Sequence, residues 1–466
     1  MHMPPLASGP QGPGALRPLL DTVLDALAAG GRARGGPLPR GGPDAVAARL
    51  RAAVGEVLPD EGDPDALRLL VHALAAGAAD PADPLCAAHL HCPPLAVATA
   101  ADLAASVLNP SLDSWDQAPS ASALEALVTE TLAAEVYGRA DAPGRQTDQA
   151  PGPDCLVTTG GTESNHLALL LAREALGGGV RLVLGANAHH SLTRAAWLLG
   201  LPQPVVVPAP AGTLDPAALG DALTALRGPL LVAATAGTTD AGIIDPLPEI
   251  AARCRAHGAR LHIDAAYGGG LLFSDRYRAL LDGLDAADTV TLDLHKLGWQ
   301  PVAAGLLAVR DARDLAALHQ RADYLNADDD TEAGLPDLLG RSLRTTRRPD
   351  ALKIAVTLKA LGRAGLGALV DRVCDRAREL AGLIAARPAL ELYDRPAIST
   401  VLFRPARAAD DAVAAVRRTL LADGRAVLGR ARLDGRLWLK ATLLDPHARP
   451  DDLAALLELV EGHTPR

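Results

Sequence analysis

The run TVTLDLHKLGWQP (Thr289 to Pro301) carries an apolar, β-branched stretch directly into a His–Lys pair, His295 and Lys296. Upstream of it, RLHID closes a second apolar stretch on Asp264. Where strands alternate with helices, side chains at the C-terminal ends of strands face the ligand crevice of an open α/β sheet. A lysine that can form a Schiff base and an aspartate that can hold a pyridinium nitrogen are the two protein groups that pyridoxal 5'-phosphate needs most. Surface lysines and strand-end aspartates are common singly. The two together, in this order, point to pyridoxal phosphate chemistry.

Three other segments follow apolar runs. TTGGTESNHLALL (Thr158 to Leu170) reads as strand, glycine turn and helix. Gly160 and Gly161 permit close backbone approach, and the unpaired N–H groups of a helix start suit a phosphate. The plainer reading is a Thr162 N-cap with glycines for turn geometry. The spacing is neither G-x-G-x-x-G nor a Walker A loop, so nucleotide binding has little support. ANAHHSL (Ala186 to Leu192) offers His189 or His190 as a ring lying flat on a cofactor, against an ordinary loop histidine. ATAGTTDAGIIDP (Ala234 to Pro246) offers Thr238 and Thr239 as hydroxyl donors, against a turn held by Thr and Asp side chains. CAAHLHCPP (Cys86 to Pro94) places two cysteines and two histidines close together. It lacks paired C-x-x-C spacing and a second ligand cluster, so a cleft-lining or packed segment is expected and no metal.

These residues need a scaffold, and the pattern around them supplies one. Apolar runs CLVTT, RLVLG, PVVVP, LLVAAT, RLHID, TVTLD and LLAVR alternate mostly with helical stretches such as ALEALVTETLAAEVYG (Ala123 to Gly138) and ESNHLALLLAREALG. Such alternation implies crossover connections and a mainly parallel sheet covered on both faces. Residues 1–75 read as helical pieces with Pro/Gly-rich links, the clearest being Ala28 to Pro43. A polar, Pro-rich loop is expected over Asp141 to Asp154. After residue 345 a helix around ALKIAVTLKALG leads into strand-like ISTVLFRP, RAVLGRARL and RLWLKATLL and an amphipathic last helix. The expected organisation is therefore 1–75 helical, 76–345 a large α/β domain, and 346–466 a small α+β domain.

The chain's 466 residues exceed one compact core. A formal net charge of −10 and 2% aromatics argue against a nucleic-acid partner. No apolar run approaches a membrane span, and the N-terminus lacks the pattern of a secretory signal. Five scattered cysteines fit reduced thiols, so a cytoplasmic location is expected.

Taken together, the motifs AHLHCP, SLDSWDQ, TGGTESN, AHHS, ATAGTTDAG, HIDAAYGGG, DLHK, TTRRPDALK and STVLFR resemble those of the group II pyridoxal-phosphate-dependent amino-acid decarboxylases over roughly residues 80–460. The resemblance implies the aspartate-aminotransferase fold, type I of the pyridoxal-phosphate-dependent transferases. It implies a homodimer and decarboxylation of a small-molecule amino acid. Within the family the motifs look most like those of enzymes acting on L-2,4-diaminobutyrate, with lysine, ornithine or another small amino acid as the alternative. Carried over residue by residue, Lys296 would attach the cofactor, Asp264 would bind its ring nitrogen, Ala266 would pack under the ring and His189 would stack above it. Gly160, Gly161, Thr162 and Asn165 would hold the phosphate end, with His295 near it and Thr238 on the ring's oxygen side. Asp113 and Asp116, in NPSLDSWDQAP, are expected to read a distal ammonium; the alternative is that one of them caps the helix beginning near Ser120. The family's proton-donating tyrosine has no counterpart in residues 326–346, and Tyr324 is the nearest.

Overall fold

The computed structural model describes residues 3–138 and 152–464, so 141–151 of the expected Pro-rich loop lie outside the described residues. It divides into two compact units, one built from Leu90–Asp375 with Pro396–Ile398, the other from Met1–His89, Arg376–Arg395 and Ser399–Arg466.

The chain starts with three helices, α1 (Gly12–Arg34), α2 (Gly42–Val54) and α3 (Ala66–Gly77). The Gly-rich stretch from Ala28 is not a loop up to Arg34: it forms the last turns of α1, which stops at Gly35 in a left-handed conformation (φ 68°). The reason is packing. A Cβ at Gly30 would stand 2.6 Å from the His72 carbonyl oxygen, so glycine is what lets α1 lie against α3.

The larger unit opens with α4 (Ala96–Leu108) and α5 (Pro119–Tyr137) and then alternates. Its elements are β1 (Asp154–Thr158), α6 (Gly161–Leu176), β2 (Arg181–Gly185), α7 (His190–Leu198), β3 (Val205–Val207), α8 (Pro216–Ala225) and β4 (Leu230–Thr235). There follow α9 (Leu247–His257), β5 (Arg260–Ala265), β6 (Thr289–Asp293), the single turn α10 (Leu294–Leu297) and β7 (Gly305–Val309). Two short helices, α11 (Asp323–Asn326) and α12 (Asp328–Glu332), precede the long α13 (Ala351–Ala385), which bends at Gly362 (φ 62°). The seven strands pair in the order β1-β7-β6-β5-β4-β2-β3. Only the β7 pairings are antiparallel. Every residue of β4 and β6 is buried, as a sheet covered on both faces requires. Leu182 and Leu184 of β2 pack with Leu192, Ala195 and Ala196 of α7, and Leu167 and Leu171 of α6 pack with Leu307 of β7.

In the other unit, β8 (Leu390–Leu392), β9 (Thr400–Pro405), α14 (Asp410–Ala422), β10 (Gly429–Leu433), β11 (Arg436–Thr442) and α15 (Pro450–His463) complete the chain. Its four strands form an antiparallel sheet ordered β10-β11-β9-β8, with Phe403, Leu439, Val413, Leu420 and Leu457 in its core. Among the described residues no helix is long and apolar enough to cross a membrane.

Candidate active site

The C-terminal ends of β1, β4, β5 and β6 open onto a cleft of about 310 Å³, within the size range of small-molecule sites. Lys296, Asp264, His189, Gly160, Gly161, Thr162, Asn165, Ala266 and His295 all line it, so nine residues singled out from sequence meet in one place. The topology explains the convergence. Parallel strands present their C-terminal ends on the same edge, and each of these residues ends a strand or follows one within a few positions.

Asn165, fully buried, is the hub of the cleft floor. Its amide nitrogen donates to Asp264 Oδ2 at 2.8 Å and to Ser191 Oγ at 2.9 Å. Its oxygen accepts from Thr291 Oγ1 at 2.9 Å and from His262 Nε2 at 3.0 Å. All four hydrogen-bonding positions of the amide are thus used. This corrects the expectation for Asn165: its side chain is committed to Asp264 and leaves no donor for a phosphate. The network also fixes protons. Because the Asn165 amide only donates to Ser191 Oγ, the serine proton turns to His189 Nδ1, 2.8 Å away, leaving the remaining ring proton on Nε2. His262 donates from Nε2, so its Nδ1, 2.9 Å from Thr289 Oγ1, is the acceptor. Burial holds both rings neutral by lowering their pKa values, that of His262 to about 4.

Asp264, 5% exposed, takes a second hydrogen bond on Oδ1 from the Ala266 backbone at 3.0 Å. Both oxygens are thus held in place, and the carboxyl group lines the cleft. At the other end of the cleft, α6 begins at Gly161 with Gly160 as N-cap, so Thr162 is not the capping residue of the plainer reading. A Cβ at Gly160 would stand 3.0 Å from His295 Cε1, and one at Gly161 3.0 Å from Ala266 Cβ; any side chain here would fill the cradle. Glu163 accepts from Thr159 N and, at 3.1 Å, from Arg344, bracing the turn. Lys296 Nζ lies 2.9 Å from Asp293 Oδ2, and His295 Nδ1 accepts from the Ala304 N–H at 3.3 Å.

Other expectations are not met in this geometry. Thr238 does not line the cleft; its Oγ1 accepts from Ile243 N at 3.1 Å, which makes it a turn residue, while Thr239, the other threonine offered there, lines the cleft together with Thr235. Asp113 and Asp116 also lie outside the lining. Asp113 accepts from Gln117 at 2.7 Å and Asp116 from Ser114 at 2.6 Å, so both brace their own loop. Neither caps α5, whose N-cap is Ala118 without a side-chain bond. Tyr324 is 83% exposed and lies outside the lining too. Of CAAHLHCPP, Leu90 lines the cleft, and the Cys92 thiol, pushed up to about 12 by burial, sits 3.1 Å from the His295 carbonyl. Asp293 and Tyr267 line the cleft without having been singled out. Asp293 had a legible signal, as a carboxylate ending an otherwise apolar strand three residues before Lys296.

The residues fit pyridoxal phosphate on their own chemistry: an amine, a fixed carboxylate, a neutral ring and a glycine cradle at a helix start, with the buried Asp293 Oδ1 lacking any partner. Sheet and site together define a type I pyridoxal-phosphate-dependent enzyme, the fold also found in its structural neighbours. The chain belongs to the pyridoxal-dependent decarboxylase family, whose conserved domain matches residues 71–406. It is therefore a carboxy-lyase that acts on an amino acid with pyridoxal phosphate as cofactor. It is 41% identical to an L-2,4-diaminobutyrate decarboxylase of Rhizobium meliloti, over 85% of this chain and 80% of that one. An enzyme of the same name from Acinetobacter baumannii is 34% identical over 81% and 79%. Among solved structures, the glutamate decarboxylase domain of diaminobutyrate-pyruvate transaminase and L-2,4-diaminobutyrate decarboxylase from Vibrio parahaemolyticus superposes with a TM-score of 0.83 at 29% identity, covering 98% of this chain and 97% of that one.

Proposed function

We propose that this decarboxylase converts L-2,4-diaminobutyrate to 1,3-diaminopropane and CO2. The observation that carries the substrate is the 41% identity to the Rhizobium meliloti enzyme over 85% of the chain. When bound, pyridoxal phosphate supplies an electron sink for the pair left on Cα as CO2 departs. Lys296 would provide the amine that holds the cofactor and that frees the product. Asp264, itself buried, would keep positive charge on the ring nitrogen by direct pairing. His189, neutral and locked through Ser191, offers a flat face for the ring, and Ala266 closes the other side. The first N–H groups of α6, with Thr162 and His295, would take the phosphate end. Residues that fix the cofactor's ring would also fix the bond to be broken against it, and orientation of this kind contributes several kcal/mol.

Incubating the pure protein with a panel of amino acids and measuring CO2 and amine tests the substrate. The highest kcat/KM is expected for diaminobutyrate. A higher value for lysine, ornithine or an acidic amino acid would overturn the assignment.

The working unit is a homodimer. Helix α3 carries an apolar sequence yet has no buried residue, and Leu70 and Leu74 on it are exposed, as are Leu24 and Leu27 on α1. An apolar face of this kind calls for a covering surface, and a second copy supplies one by two-fold symmetry. The five cysteines, four of them buried, suit a reducing cytoplasm. Sedimentation at assay concentration should give a dimer. Full specific activity in a monomer at high dilution would contradict this.

A further inference from the structure

A hydrogen-bonded chain runs behind the cleft from Asp264 through Asn165 and Ser191 to His189, with links of 2.8 Å, 2.9 Å and 2.8 Å in turn. Asn165 also branches to Thr291 and His262. Asn165, Ser191, Thr291 and His262 are fully buried. Most of these groups can work either way round. An amide can turn over and exchange its oxygen for its nitrogen, a hydroxyl both donates and accepts, and a neutral imidazole takes either tautomer. Burial keeps both rings neutral, so each has one proton to place. Asp264 and the Ser191 backbone N–H cannot reverse. A carboxylate only accepts, and Asp264 does so on both oxygens, whereas the Ser191 N–H, which points at His189 Nδ1, only donates. The two ends agree in direction, but they differ in strength. The Asp264 contact is charge-assisted at 2.8 Å, and the Ser191 N–H contact is neutral and 3.3 Å long, so Asp264 sets the polarity.

We propose that Asn165 and Ser191 are positioning residues that carry the polarity of Asp264 to His189, so that the carboxylate meant for the ring nitrogen also decides which nitrogen of the stacking imidazole holds its proton. Because Asp264 Oδ2 accepts, Asn165 must present its nitrogen there and, from the same NH2 group, to Ser191 Oγ. The serine then has its own proton to give to His189 Nδ1, and the ring proton stays on Nε2. Helix α6 ties in the third support of the cofactor. Its first turn holds Gly160 and Gly161, and Asn165 lies one turn further on. One helix thus refers the phosphate cradle, the partner of the ring nitrogen and the stacking ring to a common frame.

The link is read in the cofactor-free protein, with isotopically labelled histidine and NMR through long-range proton–nitrogen couplings; His189 is identified by its loss in His189→Gln. The wild type should carry the proton on Nε2. In Asp264→Asn the Ala266 N–H cannot turn, so the new amide keeps its oxygen there and turns its nitrogen to Asn165. Asn165 then turns over, Ser191 gives its proton to the amide oxygen, and the His189 proton should move to Nδ1. Asn165→Asp puts an acceptor of the same shape against Ser191 and should move the proton as well, which covers the case in which Asp264→Asn does not fold. A purely structural role for Asn165 predicts no exchange of tautomer. A proton that stays on Nε2 in either folded variant overturns the link. A second arm rests on the proposed function. Without its serine the His189 ring can turn off the cofactor, so Ser191→Ala should lower kcat for diaminobutyrate about tenfold in the wild type but about twofold or less in an Asp264→Asn background, where the polarity is already lost. Equal costs in the two backgrounds overturn the coupling in the working enzyme. If the wild type does not decarboxylate diaminobutyrate, the substrate assignment fails, while the NMR arm still reads the link.

Discussion

Lys296→Ala is expected to lower kcat/KM by at least ~10³-fold, equivalent to about 4 kcal/mol of transition-state stabilisation. The loss combines two roles of one amine, attachment of the cofactor and its release from product. The fold should survive, because Lys296 ends in a cleft rather than in the core and its side chain is 19% exposed. Rapid-quench measurement of CO2 release, alongside a thermal melt, separates the two effects. A variant within tenfold of wild type would mean that the amine of Lys296 is not the reacting group.

Asp264→Asn is expected to cost ~10²- to 10³-fold in kcat, about 3–4 kcal/mol, with little change in substrate KM. Two effects add. An amide carries no charge to hold a proton on the ring nitrogen. The network behind it also consists of donors, Asn165 Nδ2 and the Ala266 N–H, so an amide nitrogen at either position would face an N–H group. The bound cofactor's absorbance should shift, since its ring nitrogen loses a charged partner. A near-wild-type rate would remove the electron-sink role of Asp264.

Most of the sheet was legible because its strands are short apolar runs closed by polar or glycine residues, and β4, β5 and β6 match their sequence runs almost residue for residue. The crevice followed from the alternation, since strands joined by helices bring their C-terminal ends to one edge. The errors have local causes. Ala28–Arg34 looked like a loop because glycine usually breaks helices, whereas Gly30 serves close helix packing there. Asn165 stands in sequence beside the glycine turn, but one turn into α6 its side chain points to β5 and β6, where it meets His262, Asp264 and Thr291. Asp113 and Asp116 sit on a polar loop in either reading, and only tertiary structure shows that their partners are Gln117 and Ser114. Thr238 and Thr239 are adjacent, so only the backbone path of the turn decides which faces the cleft.

The central claim is that a pyridoxal cofactor is carried on Lys296 at the end of β6. Borohydride reduction of the holoenzyme followed by peptide mapping tests it most directly, because reduction locks the cofactor onto whichever amine holds it. The chain has three other lysines, Lys353, Lys359 and Lys440, so the map has few alternatives. The account predicts one pyridoxyl label, on the peptide containing Lys296. A label on Lys353, Lys359 or Lys440, with Lys296 unmodified, would contradict it.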